Sequence, residues 1–440
     1  MAQVISLSDA AVLSNNMLVE GIIADIITVD EWFKYLPFVV FEGLAYTFTR
    51  EATLASADFA SPGTNLNASK FQAGASFQPV NVNLSAIIAD IIIDGQIEDQ
   101  FSETNDQLQV QISAKAKQIA RIYMNAIINA RRSATLVQAN NGPIGIADRF
   151  NGMASILDAE QGNVADVNHP FYNAGAATQT LGLVEDDASS PRLGRAGRVY
   201  TLEDLDDLVD RCTGAKPDFL MMNSREIRTL RTLLRNTGGG TDAYMIQQTG
   251  LGNARPMLMY QDIPVFRNDF ISKADAVNTQ AKTLVTAGSS DGTMVINSAG
   301  DGTETAVLMR GSDGVLYRWD ISAGAGTTTL TVSLAGSQYF DPEQNKVVSR
   351  VAPNASVFSN GQAATLAERL DGSSIYTGAW GELKGIVGFT SANNAGLKLE
   401  YVGPRENENA YQYRMKWYCG FDLYNRLSLA RVKGVLPLGA

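Results

Sequence analysis

Between residues 410 and 423 the sequence AYQYRMKWYCGFDL alternates. Tyr411, Tyr413, Met415, Trp417 and Cys419 fall on one side of an extended chain, and Gln412, Arg414, Lys416 and Tyr418 on the other. A period of two held this long, with aromatic residues available for cross-strand pairs, is the pattern of a long sheet strand that anchors a framework. It also places Cys419 in a packed row and not at a reactive surface. Phe421, Leu423, Leu427 and Leu429 carry the apolar load past Gly420, where a bulge is expected.

At 440 residues the chain is long enough for two or three domains with ample cores. Its 39 glycines and 18% charged residues suit a globular protein with many turns. No apolar run reaches the roughly 18 residues that cross a bilayer, and residues 1–16 lack the basic-then-apolar pattern of a secretory signal. A cytosolic protein with no membrane contact is expected. Its two cysteines, Cys212 and Cys419, form neither a metal-spaced pair nor a disulfide framework and read as small buried hydrophobes. A net charge of −11 argues against a surface devoted to nucleic acid, which needs clustered Lys and Arg, and leaves room for local basic patches.

Catalysis finds little to work with. The single histidine, His169, rules out any site built on two imidazoles, such as an H-E-x-x-H zinc centre. Gly288, Ser290 and Gly292 match G-x-S-x-G, yet in hydrolases with that elbow the histidine follows the serine, and His169 precedes it. The SSDGT stretch reads instead as a hairpin turn. His169 lies before Pro170 on an extended loop, no neighbour signals a lowered thiol pKa at Cys419, and TGGGTDAY lacks the lysine of a phosphate loop. No catalytic residue, cofactor or metal site is expected.

Along the chain, Leu44, Tyr46 and Phe48 alternate as one strand, and Val80, Val82 and Leu84 begin a second that becomes continuously apolar from Ile87 to Ile93. The Ala-, Ser-, Gly- and Asn-rich segment between them cannot build a core, so this long hairpin is expected to lie on another subunit. Leu108, Ile112, Ala116, Ile119, Tyr123, Ala126 and Ala130 mark one face of a helix over 104–134, about 45 Å long, with Thr104 and Gln107 as a capping box. Two amphipathic helices follow. TLEDLDDLVDR, capped by Thr201, carries Glu203, Asp204, Asp206, Asp207 and Asp210 mostly away from its apolar face, whereas SREIRTLRTLLRN carries Arg225, Arg228, Arg231 and Arg235. Either these are two solvated faces, or acid meets base across copies of the protein and sets register. Residues 274–373 change character: short strands TMVIN, TAVLMR, VLYRW and TTLTVSL are separated by Asp-Gly turns at Asp291, Asp301 and Asp313, a β-rich insert whose turns lack calcium-ligand spacing. SSIYTGAWGELKGIVGF and GLKLEYV supply two further strands.

This order of parts resembles the major capsid protein of tailed bacteriophages. The likeness rests on FEGLAYTFTRE and its returning strand, the long helix, DFLMMNSREIRTLRTLLR, YQDIPVFRNDF and ENENAYQYRMKWYCGFDLYNRLSLARVKGV, and covers nearly all of the chain except the insert. It implies an α+β, Hong Kong 97-like fold: an N-terminal arm (1–41), an extended β-hairpin loop (42–85), a peripheral domain with a long spine helix (86–139, joined by the C-terminal strands of 397–440), an axial domain (140–273 and 374–396), and the β-rich insertion domain (274–373). It implies self-assembly through homo-pentamers and homo-hexamers into an icosahedral shell. The shell would enclose double-stranded DNA without reading its sequence, as a virion capsid assembled in the bacterial cytoplasm. Portal, a separate scaffolding protein and a decoration protein are the implied partners; because the arm begins almost at Met1, scaffolding is expected as a separate or already removed piece. An encapsulin-type bacterial compartment is the nearest alternative, and a hydrolase or a β-rich tail protein are more distant ones.

Function in such a chain is spread over surfaces. The candidate inter-subunit contacts are the loop residues Phe59, Leu66 and Phe71, apolar groups on a segment too polar to hide them, together with Lys70, the only lysine of that loop. Some relatives crosslink neighbouring subunits through lysine and asparagine, but an ordinary solvated lysine is the simpler reading of Lys70, and no crosslink is expected. Arg225, Arg228, Arg231 and Arg235 with Asp206 and Asp207 complete the set.

Overall fold

The computed structural model describes residues 31–43, 45–53, 55–62, 74–96, 107–130, 150–160, 184–185, 199–212, 215–236, 245–246, 257–273, 275–286, 292–310, 316–334, 338–341, 346–349, 360–361, 363–392, 396–406 and 408–436. After a short 3₁₀ turn, Glu31–Tyr35, come strands β1 (Phe38–Phe41), β2 (Ala45–Thr53), β3 (Ser76–Asn83) and β4 (Ser85–Asp94), then helices α1 (Gln107–Asn129) and α2 (Met153–Glu160). Next are β5 (Val184–Glu185), α3 (Leu202–Asp210), β6 (Phe219–Met222), α4 (Ser224–Asn236), β7 (Met245–Ile246), β8 (Met257–Tyr260) and β9 (Ile263–Arg267). The insert region holds β10 (Asp275–Thr286), β11 (Gly292–Ile296), β12 (Ala306–Arg310), β13 (Leu316–Ala323), β14 (Thr329–Leu334), β15 (Gln338–Asp341) and β16 (Lys346–Ser349). The chain closes with β17 (Ala363–Gly378), β18 (Ile386–Ser391), β19 (Lys398–Pro404), β20 (Ala410–Leu423) and β21 (Leu429–Val435).

The alternating C-terminal stretch is β20, and it organises the first sheet. β4 runs antiparallel along it from Asp94↔Ala410 to Ser85↔Cys419, while β19 and then β18 share its other edge and β1 adds parallel to β18. Met415, Trp417, Cys419, Phe421 and Leu423 all face the same core, so alternation passes through Gly420 unbroken. The expected bulge is absent: β18 pairs with Cys419, Gly420 and Phe421 in unshifted register. Gly420 serves instead as an acceptor, its carbonyl taking a 2.8 Å hydrogen bond from the buried Tyr123 hydroxyl of α1. Leu427 and Leu429 do not extend the strand. After Leu423 the chain turns through a 3₁₀ segment, Arg426–Ser428, and Leu429 opens β21 in a different sheet.

Helix α1 lies across this sheet as a spine. Its described length is 23 residues, shorter than the periodicity over 104–134 suggested, and the expected cap at Thr104 lies outside the described residues. Ile119, Tyr123 and Ile127 are buried against Trp417, Phe150 and Phe421, with the Tyr123 and Trp417 rings 4.6 Å apart. Gly388 keeps this layer thin, because a Cβ there would come within 2.6 Å of the Phe38 ring.

The second sheet is centred on β17, which pairs with β6 and β21; β9 adds parallel to β6, and β8 follows. The β8–β9 turn places Gln261 and Asp262 at φ 48° and 65°, the left-handed pair of a two-residue hairpin turn. Thr201 caps α3 as expected. Its hydroxyl accepts from the Asp204 N–H at 3.3 Å while its own N–H donates to Asp204 at 2.7 Å. This box turns Asp204 inward, so it leaves the outward acidic set.

The insert closes on itself. β10 pairs with β11, β11 with β14, β14 with β13, β13 with β12, β12 with β17, and β17 back to β10, all antiparallel. The result is a six-stranded barrel with no free edge, filled by Leu284, Ile296, Val307, Trp319, Leu330 and Leu366 among others. The four strands read from TMVIN, TAVLMR, VLYRW and TTLTVSL are all present. β17 runs on past residue 373, so one strand is both a barrel stave and the middle of the second sheet. Asp301 does not make a hairpin: β11 and β12 are not neighbours, and the Asp301 carboxylate instead receives the Thr303 N–H and hydroxyl in a longer connection. Asp291 and Asp313 lie outside the described residues.

Candidate assembly surfaces

The hairpin of β2 and β3 has a packed base and a bare end. Register runs from Ala45↔Asn83 to Glu51↔Phe77. At the base, Val80 and Val82 are buried, and Tyr46 and Phe48 set their rings 5.3 Å from Phe389 and 4.6 Å from Tyr424. The expectation that this hairpin needs another subunit thus applies to its outer half only, since the base belongs to its own chain's core. Farther out, Phe77 is 66% exposed and Phe59 is 98% exposed, and residues 55–62 form no regular structure. Of the loop candidates the structure places Phe59 alone; Leu66, Lys70 and Phe71 lie outside the described residues.

Helix α4 shows one charged face with two different fates. Arg225 donates from Nε to the buried Glu226 carboxylate at 2.9 Å. Arg228, Arg231 and Arg235 are exposed and form no ion pair among the described residues. On α3, Asp207 pairs with Arg211 at 2.8 Å, and Asp206 accepts from Gln261 at 2.6 Å and from the Tyr260 hydroxyl. Both acids proposed for contacts with other copies are therefore engaged within the chain, leaving Glu203 and Asp210 as the exposed acids of α3. Reversing Arg228 and Arg231 to Glu is expected to leave thermal stability within about 0.5 kcal/mol, because neither side chain is packed. Assembly followed by light scattering should slow, and added salt should slow the wild type in the same way.

Burial raises the pKa of Glu226 above its usual 4.5, an effect the Arg225 contact only partly offsets. The folded chain then holds a proton that the unfolded chain releases, so this group's contribution to stability is complete below about pH 4.5 and falls as pH rises toward the folded value. Glu226→Gln is expected to raise the unfolding midpoint at pH 8 and to leave it little changed at pH 4; a midpoint lowered equally at both would refute the assignment.

The sheets contain no reactive thiol. Burial pushes Cys212 up to about 12 and Cys419 higher still, and both are free. His169 and Ser290 lie outside the described residues. Among the described residues no group of three or more His, Cys, Asp and Glu could hold a metal ion, and no helix is long and apolar enough to cross a membrane.

One surface escaped sequence reasoning. GLKLEYV reads from the sequence only as a further strand, and β19 is exposed on both faces, with Leu399, Tyr401 and Val402 each more than 40% accessible. It pairs only with β20 among the described residues, so its outer edge is open. On the same sheet the Asp90–Arg414 pair, with bonds of 2.7 and 3.1 Å and a further 3.0 Å bond from Gln412, holds the Asp90 pKa below its ordinary value.

The sequence matches no protein-family model and no curated protein. Among solved structures the fold is similar to the holo-SrpI encapsulin complex of Synechococcus elongatus PCC 7942, at 12% identity and a TM-score of 0.47, covering 92% of this chain and 86% of that one. It is also similar to the capsid of a native GTA particle (12%, TM-score 0.43, 98% and 100% covered) and to a structure of Microbacterium phage Oxtober96 (9%, TM-score 0.45, 98% and 99%).

Proposed function

We propose that this chain is the major capsid protein of a tailed double-stranded DNA bacteriophage, a subunit that assembles through pentamers and hexamers into an icosahedral shell. The order of sequence parts described above suggests it, and one observation carries it: a hairpin whose base is locked into its own core leads to an outer end on which the Phe59 side chain is 98% exposed. An aromatic residue held out on a built arm is an interaction element, since a large apolar side chain left in water forgoes about 1.5–3 kcal/mol of burial. The open, apolar edge of β19 supports the same reading.

On this reading the chain performs no catalysis. Its first partner is itself; portal, scaffolding and decoration proteins follow, and the DNA is contained rather than recognised. The peripheral, axial and insertion domains correspond to the first sheet with α1, the second sheet with α3 and α4, and the barrel. Assembly would take place in the host cytoplasm. Negative-stain microscopy of the purified chain tests the proposal. Closed particles of uniform size are expected, with five- and six-fold clusters on their surface. A species that stays monomeric at every concentration and salt condition would sink it, and closed particles filled with a co-purifying enzyme would move the chain to the bacterial-compartment reading.

A further inference from the structure

The outer edge of the first sheet is complementary to itself. β19 pairs only with β20 among the described residues, and its side chains divide by face. Leu399 and Tyr401 stand opposite Met415 and Tyr413, on the face that carries the core, yet Met415 is 1% exposed while Leu399 and Tyr401 are 41% and 54% exposed. The apolar row runs out past its cover. Lys398 and Glu400 stand opposite Lys416 and Arg414 on the other face, where Glu400 pairs with Lys416. A register shift between Tyr401 and Gly403, followed by Pro404 with no N–H to donate, ends the regular edge and leaves 397–401 as the stretch that can take a further strand.

Charge selects what that strand can be. When two copies of β19 meet antiparallel about a two-fold axis normal to the sheet, residues opposite one another share a face, so the axis passes through a residue position and not between two. Centred on Glu400, the pairing sets two carboxylates face to face; centred on Lys398, two ammonium groups. Centred on Leu399, it sets Lys398 of each copy against Glu400 of the other, and on the opposite face Leu399 against itself and Leu397 against Tyr401. Charged residues on an open edge ordinarily discourage pairing, and here a single register turns them into attractions.

We infer that two copies of this chain join through β19, edge to edge and antiparallel about Leu399, so that the first sheet continues from one subunit into the next. The contact deepens the assembly reading and rests on it only in taking a second copy as the partner. Each Glu400 keeps Lys416 and gains Lys398 of the other copy, and the added strand supplies the cover that the Leu399 row lacks. A contact this short is weak singly and gains strength by repetition around a closed assembly.

Disulfide trapping on the full-length chain tests it. With Leu399→Cys the new thiol faces its own copy across the axis, the Cβ atoms about 5 Å apart, and mild oxidation should give a covalent dimer, since Cys212 and Cys419 are buried and do not compete. Val402→Cys is the control: the position is 49% exposed, but its two copies would lie about 20 Å apart. Adding Lys398→Glu or Glu400→Lys to Leu399→Cys sets like charges against each other and should slow dimer formation about tenfold. Mixing those two variants should restore it as mixed dimers, identified by mass, because each Glu then faces a Lys. All the altered side chains are exposed, so the fold is expected to survive. No dimer from Leu399→Cys, equal trapping at Val402→Cys, or no recovery on mixing would each overturn the inference. Closed particles without the dimer would sink this contact and leave the assembly reading standing; the dimer without closed particles would do the reverse.

Discussion

Deleting residues 57–70 is expected to leave a folded, soluble subunit with an unchanged unfolding midpoint that no longer forms closed particles. The deletion removes the bare end of the hairpin, where Phe59 touches almost nothing, and spares the base, where Tyr46, Phe48, Val80 and Val82 pack on Phe389 and Tyr424. Folding is expected to lose little, because the described residues that are removed, 57–62, are all exposed. Assembly loses an apolar anchor repeated once per subunit, about 1.5–3 kcal/mol at each contact, equivalent to roughly 10- to 100-fold in association per contact. Circular dichroism with negative-stain microscopy checks both halves, and particles of normal size from the deleted chain would refute the role given to the tip.

Phe389→Ala should give the opposite signature. Phe389 is fully buried at the hairpin's root, with ring centres of Tyr46, Phe41 and Tyr424 at 5.3, 6.1 and 6.2 Å. Truncating a phenylalanine in such a site costs about 3–5 kcal/mol, through lost transfer energy and the cavity left behind. The cost falls on the joint that aims the hairpin. A lowered unfolding midpoint is expected, with faster hydrogen exchange in 45–53 and 76–83 than in the barrel strands, and reduced assembly as a secondary effect. Equal acceleration of exchange in hairpin and barrel would show that Phe389 supports the whole chain and not this joint.

The contrast between the two variants marks where sequence reasoning succeeds. Phe59 was legible because it sits among residues too polar to bury it, a local property. The row from Tyr411 to Leu423, the two charged helices and the Thr201 cap were legible for the same reason, since side-chain period and capping depend on residues a few positions apart. Phe48 and Tyr46 were read as part of a strand, but that they pack on Phe389 and Tyr424 depends on residues more than 300 positions away, and no local pattern encodes it.

By itself, then, the amino-acid order determined many of the strands and helices, the apolar face of the long alternating strand and of the amphipathic helices, that Arg228, Arg231 and Arg235 of α4 point outward and that the chain lacks the histidines for most catalysis. Tertiary structure decided the rest. It made Gly420 an acceptor for Tyr123 where a bulge was expected, tied Asp206 and Asp207 into their own chain, closed six insert strands into a barrel through β17, and left β19 bare at a sheet edge. The physical reason is common to all four: pairing register and burial depend on which distant segments meet, and the same alternating pattern becomes core or open edge according to whether a neighbour covers it.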